Sequence, residues 1–368
     1  MTDSYSQNNE ELSSIPRQRD DRLRLFNKLV QKGFEASQKE NRNYHKFTNY
    51  VYDSALTDED KKSLQLDGRS TLNYPILKPY MQRSLKNVVD SMPTLDVVPT
   101  EEDGMDKNVN LPTTTVADIL DTTLREIVNA NRWQNVVFNV SAHAWAGAKG
   151  VFKVGTQYKN NYNFDQEFTL NYAEDPTMIV FDSRAIMSTK ADGEFCAEIS
   201  PMTQEDFQTY YPKVKWEEVQ KQGRQFTSVN GLNWYKNDKG KHIAIVCDMY
   251  YKKKTVKKIY LLNNKQIVDQ EPSDEEKELM GIEVVDTRKI YEDVIWHTRF
   301  CGKIELKKPS VTNFTRLPFI RLAGEKVIQM GEEKLLPICY PAFDAQRTKN
   351  FMMNFFLNEA LNHNKTTF

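Results

Sequence analysis

The run from Tyr340 to Leu361 constrains the fold more than any other stretch of this chain. Phe343, Phe351, Met352, Met353, Phe355, Phe356, Leu357 and Leu361 point in most directions around a helical wheel of about 100° per residue. Arg347, Asn350, Asn354 and Asn358 fall together in one narrow sector. Surface helices have the opposite balance, with a limited apolar stripe and a broad polar face. A helix that is apolar on most sides and polar along one thin line is packed by neighbours and wetted along one seam. A helix in a closed ring around an aqueous channel meets that description.

The totals narrow the class. A chain of 368 residues and 42.9 kDa exceeds one compact core and allows two or three substructures. With 39% hydrophobic and 27% charged residues it is expected to fold as a soluble protein. The net charge is −1, so any contact with nucleic acid must be local. Cys196, Cys247, Cys301 and Cys339 are far apart and form no C-x-x-C pair. They read as reduced thiols of an intracellular protein, with no disulfide frame or zinc site. No apolar run approaches the roughly 20 residues of a membrane span. The start, Met1 to Ser14, is polar and acidic and unlike a signal peptide, so synthesis in the cytoplasm is expected.

The pattern along the chain predicts an α+β protein. Residues 1–14 read as a flexible arm. From Pro16 a long helix is predicted, with Leu23, Phe26, Val30 and Phe34 at three- and four-residue steps, continued by Tyr44, Phe47 and Val51. Asp67-Gly68 marks a turn, and Tyr74 to Met92 a helix opened by Pro75. A short strand is expected at Leu95 to Val98, then an acidic loop from Glu101 to Asn110. Helices follow over Val116 to Asn131 and Trp133 to Trp145. After Gly150 the period changes to that of strands, interrupted by short helices over Gln204 to Tyr211 and Lys215 to Gln222. Strands are predicted at His242 to Tyr251, Glu283 to Leu306 and Leu317 to Leu322. A hairpin is expected from Ile259 to Val268 around Asn263-Asn264, and Pro272 to Met280 reads as a short acidic helix with Ser273 as its N-cap.

The signatures of enzymes are missing. There is no G-x-x-x-x-G-K-[ST] phosphate loop, no H-E-x-x-H and no G-x-S-x-G. His45, His143, His242, His297 and His363 are scattered and read as solvated or hydrogen-bonded structural histidines. Glu275-Glu276-Lys277 after Asp269 has the ingredients of a metal-dependent nuclease cluster. The plainer account is a helix start whose acids complement the dipole. No catalytic residue, metal or cofactor is therefore assigned. Two basic tracts remain. Lys252-Lys253-Lys254 with Lys257-Lys258 reads as charged strand edge that resists aggregation. Lys303, Lys307 and Lys308 precede the polar-striped helix in a small β-rich insertion, where docking is the better account.

Taken in order, these stretches resemble one family, the portal proteins of short-tailed bacteriophages. Gly68-Arg69-Ser70-Thr71-Leu72-Asn73-Tyr74-Pro75-Ile76 is similar to that family's "GR…N-x-I" approach to a helix. Val97-Val98-Pro99 resembles its "I-x-V-x-P" strand, and Gly147 and Gly150 its helix-to-strand transition. Asp175-Pro176 with Val180-Phe181-Asp182-Ser183 resembles its "DP…W-D-P/S" segment, with Phe181 in place of Trp. Tyr211-Pro212, Leu317-Pro318-Phe319-Ile320 and Asp344-Ala345-Gln346-Arg347-Thr348-Lys349-Asn350 resemble further elements, the last being the "D-x-Q-R-x-x-N" motif.

The resemblance implies a non-enzymatic ring subunit, typically a dodecamer, at the capsid vertex of the virion. Its implied partners are further copies of itself, the terminase large subunit, the head–tail adaptor and tail proteins, the major capsid and scaffolding proteins, and double-stranded DNA passing without sequence preference. No membrane is implied. It also implies a mostly helical N-terminal region, wing from 15 to 281, a clip-like α/β region at 282–338 and a stem helix at 339–368. Arg347, Asn350, Asn354 and Asn358 would line the DNA channel, asparagines gripping phosphate less than a row of cations would. Arg347 has an alternative, an ion pair with Asp344 or Glu359 of a neighbour. Arg299, Lys303, Lys307 and Lys308 would dock terminase or the adaptor. Phe351, Met352, Phe355 and Phe356 would pack between subunits. The family continues past this helix, so the 368 residues are expected to be the N-terminal part of a longer protein.

Overall fold

A computed structural model describes residues 15–16, 18–53, 56, 58–92, 96–99, 105–106, 111–160, 162–225, 232–238, 240–263, 267–268 and 283–363. Helices α1 (Arg19–Tyr52), α2 (Asp58–Leu66) and α3 (Leu77–Asp90) come first, then the short strands β1 (Met105–Asp106) and β2 (Leu111–Pro112). Helices α4 (Thr113–Ala130) and α5 (Trp133–Gly147) follow, with strands β3 (Lys149–Tyr158), β4 (Gln166–Tyr172), β5 (Ile179–Phe181) and β6 (Phe195–Thr203). Next are α6 (Gln204–Tyr210), α7 (Trp216–Gln225), β7 (Tyr235–Asp238), β8 (Lys241–Leu262) and β9 (Ile267–Val268). Strands β10 (Val284–Cys301), β11 (Ile304–Val311), β12 (Phe319–Ala323), β13 (Glu325–Gln329) and β14 (Glu332–Leu336) lead to the last helix, α8 (Phe343–His363). The protein is α+β, as the pattern predicts.

The chain divides into two units. One is drawn from Met1–Glu35, Val180–Ala185 and Ala191–Leu317, and the other from Ala36–Ile179, Ile186–Lys190 and Pro318–Phe368. The first is built on a sheet of order β11-β10-β8-β6-β5, with β7 and β9 also paired to β8. The N-terminal half of α1 packs on it. Leu23, Phe26 and Val30, the residues at three- and four-residue steps, are almost completely buried. The Phe26 ring lies 5.1 Å from that of Tyr251 and 6.1 Å from that of Phe300. Gly302 turns β10 into β11 with φ of +58°. A Cβ there would sit 2.8 Å from Gln222 Oε1, the atom that accepts the Lys303 N–H at 3.1 Å, so only glycine serves both the conformation and the space.

The second unit holds the sheet β12-β3-β4 and the hairpin β13–β14. Val51, Leu77, Met81, Leu85 and Trp145 form its core, with Cys339. Its hairpin turns on Met330 and Gly331, both at positive φ, the backbone of a two-residue loop that matches strand twist. An ionic cluster lies nearby. Arg321, 2% exposed, reaches Glu333 at 2.7 Å and Glu40 at 3.5 Å. The buried Lys149 hydrogen-bonds Asn41 at 2.5 Å. Burial pushes the Lys149 ammonium down to about 8, with Glu40 opposing and Arg321 adding to the fall.

Several expectations change. The helix predicted from Tyr74 begins at Leu77, and residues 74–76 have another task, described below. Asp96 to Val98 is not a strand. The strand placed at His242 to Tyr251 runs on to Leu262, because its lysine-rich half pairs residue by residue with β10. Helix α2 and the β13–β14 hairpin went unpredicted, the first because it is short and mostly charged. Residues 282–338 contribute to both units: β10 and β11 to the first, β12 to β14 to the second. The arm at 1–14 and the acidic stretch at 272–280 lie outside the described residues.

Candidate functional site

Helix α8 carries the polar line that the wheel predicts, and the line is occupied. Counted in steps of four, the row is Gln346, Asn350, Asn354 and Asn358. Opposite it runs Ser70 to Leu77, which leads from α2 into α3. Gln346 Oε1 accepts the Leu77 N–H at 3.0 Å and Asn350 Oδ1 the Tyr74 N–H at 3.0 Å. Asn354 Oδ1 accepts from Leu72 N at 3.1 Å and Ser70 Oγ at 2.8 Å, and Asn358 Oδ1 from Ser70 N at 2.9 Å. In return Asn350 Nδ2 donates to Asn73 Oδ1 at 2.9 Å and Asn354 Nδ2 to Leu72 O at 2.8 Å.

The register has a geometric reason. Four helical residues rise about 6.0 Å, and two residues of extended chain about 6.6 Å. Asn358, Asn354 and Asn350 therefore stay in step with the alternate amides of Ser70, Leu72 and Tyr74 in an antiparallel segment, while the step to Gln346 spans three residues, to Leu77. Asn354 is saturated: its oxygen accepts two hydrogen bonds, and its amide also donates to Asn350 O at 3.0 Å. Asn350 and Gln346 are each 2% exposed.

This arrangement brings together two of the stretches that carry the family resemblance. Asn350 of "D-x-Q-R-x-x-N" binds the Tyr74 amide within the Gly68 to Ile76 motif, and Gln346 binds the Leu77 amide that follows it. Sequence reasoning missed Gln346 as a partner, although the four-residue row containing it was legible. The wheel gives the residues that share a sector but not whether that sector meets water or chain. Of the four residues assigned to the stripe, Arg347 is exposed, Asn354 and Asn358 are half-buried and Asn350 is buried.

Between Phe351 and Phe356 every exposed residue of α8 is apolar. Phe351 is 72% exposed and Phe356 64%, and Met352, Met353 and Phe355 are exposed as well. The buried end of the helix is anchored by Tyr50, whose hydroxyl donates to Phe343 O at 2.7 Å and whose ring stacks on Phe343 at 4.3 Å.

The four residues assigned to docking do not form one patch. Arg299 and Lys307 are register partners across β10 and β11. The Arg299 guanidinium is held by Asp248 at 2.5 Å and Tyr211 at 2.9 Å. His297 Nε2 also meets Asp248, at 3.0 Å, and Lys307 Nζ meets His297 Nδ1 at 3.2 Å. A lysine donating to Nδ1 leaves the proton of His297 on Nε2, directed at the carboxylate. Burial alone would raise the Asp248 carboxyl; hydrogen bonds from His297 and Arg299 outweigh it and hold the group below its ordinary range. Lys308 follows Lys307 on the strand and so points to the other face, while Lys303 is exposed at the turn. His143 and His242 are likewise hydrogen-bonded, to Tyr44 and Tyr235, and all four cysteines are free and buried. Among the described residues no helix is long and apolar enough to cross a membrane.

Exposed apolar side chains thus stand on one side of α8, and on the other a row of amides bonded to residues 70–77, in which Gln346 Nε2 is buried without a hydrogen-bond partner among the described residues. The chain matches the family of phage P22-like portal proteins over residues 27–368, and it belongs to that family. Proteins of this family are structural components of the bacteriophage portal, at the capsid vertex used in genome packaging. No curated protein matches the chain.

Proposed function

We propose that the chain is the subunit of a closed portal ring, typically of twelve copies, whose central channel passes double-stranded DNA during packaging and ejection. The observation that carries this reading is the exposed apolar face of α8. Leaving such side chains in water costs on the order of 1–2 kcal/mol each, and a ring of identical copies removes them from water at every interface. On this reading Phe351, Met352, Phe355 and Phe356 pack between neighbouring copies. Asn350, Asn354 and Asn358 serve the channel by fixing the helix to the segment behind it. Arg347 is the stripe residue available to DNA, or to Asp344 or Glu359 of the next copy.

Residues 339–368 then form the stem, 282–338 contribute the clip and 15–281 the wing. Arg299 is committed to Asp248 and Lys307 meets His297, so of the four docking residues Lys303 and Lys308 are the first to meet the terminase large subunit, and later the head–tail adaptor and tail, with Lys307 beside them. Capsid and scaffolding proteins would surround the ring. Electron microscopy of the purified full-length gene product tests this. Rings with a central hole are expected, and a Phe355→Glu/Phe356→Glu variant should give folded, unassembled protein. Uniform monomers of the unaltered protein would overturn the ring.

A further inference from the structure

Strands β8 and β10 outrun their sheet. Strand β6 pairs with β8 no further than Tyr251, and β11 pairs with β10 only from Trp296 onward. Lys252–Leu262 and Val284–Ile295 continue as a two-stranded ribbon, touched by β9 at Tyr260 and Leu261. Ten residue steps make it roughly 33 Å long. Residues 252–262 and 284–294 hold seven lysines and arginines against three carboxylates, in a chain of net charge −1.

The register places these charges. Lys258 pairs directly with Lys289, and both are exposed. Like charges directly opposite one another are destabilising. On the other face Lys257 is neutralised by Glu292 at 2.6 Å. Lys258 and Lys289 face each other instead. On their own face the nearest carboxylate among the described residues is Asp293, opposite Lys254. It lies four residues from Lys289, about 13 Å away and beyond the screening length of roughly 8 Å at physiological salt. Next to the lysine pair stand Val256 and Tyr291, paired with each other and 54% and 76% exposed.

We propose that this face of the ribbon binds the phosphodiester backbone of double-stranded DNA, with one phosphate bridging Lys258 and Lys289 and Tyr291 against the adjoining sugar. An anion between the two ammonium groups removes the repulsion that the described residues leave in place. The step from Lys258 to Lys254 on the same face, about 13 Å, matches about four phosphate rises of 3.4 Å, and a two-stranded ribbon fits the width of the major groove. Both contacts are to backbone, so binding is independent of sequence. The inference rests on the ribbon and goes beyond the ring.

The test is anisotropy of a labelled 20-base-pair duplex of mixed sequence with the full chain, titrated at several salt concentrations. Lys258→Ala/Lys289→Ala should weaken binding at least tenfold at low salt and make the slope of log K against log salt less negative by about 0.9, the value for the one bridged phosphate. Lys258→Arg/Lys289→Arg should bind like the unaltered chain. Acetylation of the unaltered chain, read by mass spectrometry, provides a check that needs no variant: duplex should protect Lys258 and Lys289. Unchanged affinity and slope in the alanine variant, or equal acetylation with and without duplex, would overturn the proposal. Binding of polyglutamate but not duplex would overturn it too, assigning the face to an acidic protein.

Discussion

Asn354 shows how much one side chain can carry. It satisfies both lone pairs and both N–H groups on the chain around it, at distances of 2.8–3.1 Å. Asn354→Ala leaves the amide and carbonyl of Leu72, which is 51% exposed, to water, at a cost on the order of 0.5–1.5 kcal/mol. The measurable outcome is faster hydrogen exchange at Ser70, Leu72 and Tyr74 with the helical amides of α3 unchanged; unchanged exchange at Leu72 would refute the ladder. Asp248 gives a pH signature. Its folded pKa lies below the ordinary carboxylate value, so its contribution is complete above about pH 4 and is lost as pH falls through the folded value. Melting temperatures should drop more steeply below pH 4 in the unaltered protein than in Asp248→Asn, which is destabilised at every pH. Lys149 acts in the opposite range. Its folded pKa of about 8 is depressed from 10.5 by burial. Between those values the unfolded chain binds the proton and the folded chain does not, so stability rises with pH. The gain is bounded by roughly 3 kcal/mol. Lys149→Met should flatten denaturant midpoints measured between pH 8 and 10; an unchanged rise would assign it elsewhere.

At the scale of elements, legibility followed from whether the deciding partner is local. The apolar spacing of Leu23, Phe26 and Val30 predicts one buried face of α1, and that face is buried. The length of α8 was legible for the same reason. Residues 74–76 were read as the first turn of a helix because Pro75 suits that position. The structure keeps them out of the helix, and the Tyr74 amide meets the Asn350 side chain, 276 residues away. The second half of β8 has five lysines in seven residues and no apolar alternation. Only its register with β10 makes it a strand. Ribbons of two strands are marginal in water, so amides of residues 252–260 should exchange faster than those of 243–251, which are paired on both sides. Hydrogen exchange by mass spectrometry reads the contrast directly, and equal protection would mean that the ribbon is covered.

For the whole molecule, the family match spans nearly the whole chain, and the resemblance read from short motifs points the same way. What those motifs do was not visible in them. Each is a few residues with weak individual signal, yet the "GR…N" stretch and the "D-x-Q-R-x-x-N" stretch are two halves of one hydrogen-bonded contact. A substitution in either half should therefore be rescued or worsened by the other, and a double-mutant cycle on Asn73 and Asn350 should give a coupling energy above about 0.5 kcal/mol.

The amino-acid sequence by itself determined the α+β class, the long amphipathic helices and the polar line on α8, because hydrophobic period is a property of neighbours along the chain. The tertiary structure alone decided where that line points. A row of amides at four-residue spacing can meet water, DNA or a peptide backbone equally well by its chemistry. Its three asparagines meet the backbone of residues 70–74 because the two rises agree to within about 1 Å per step, and that leaves the exposed phenylalanines and methionines of α8 facing away from it.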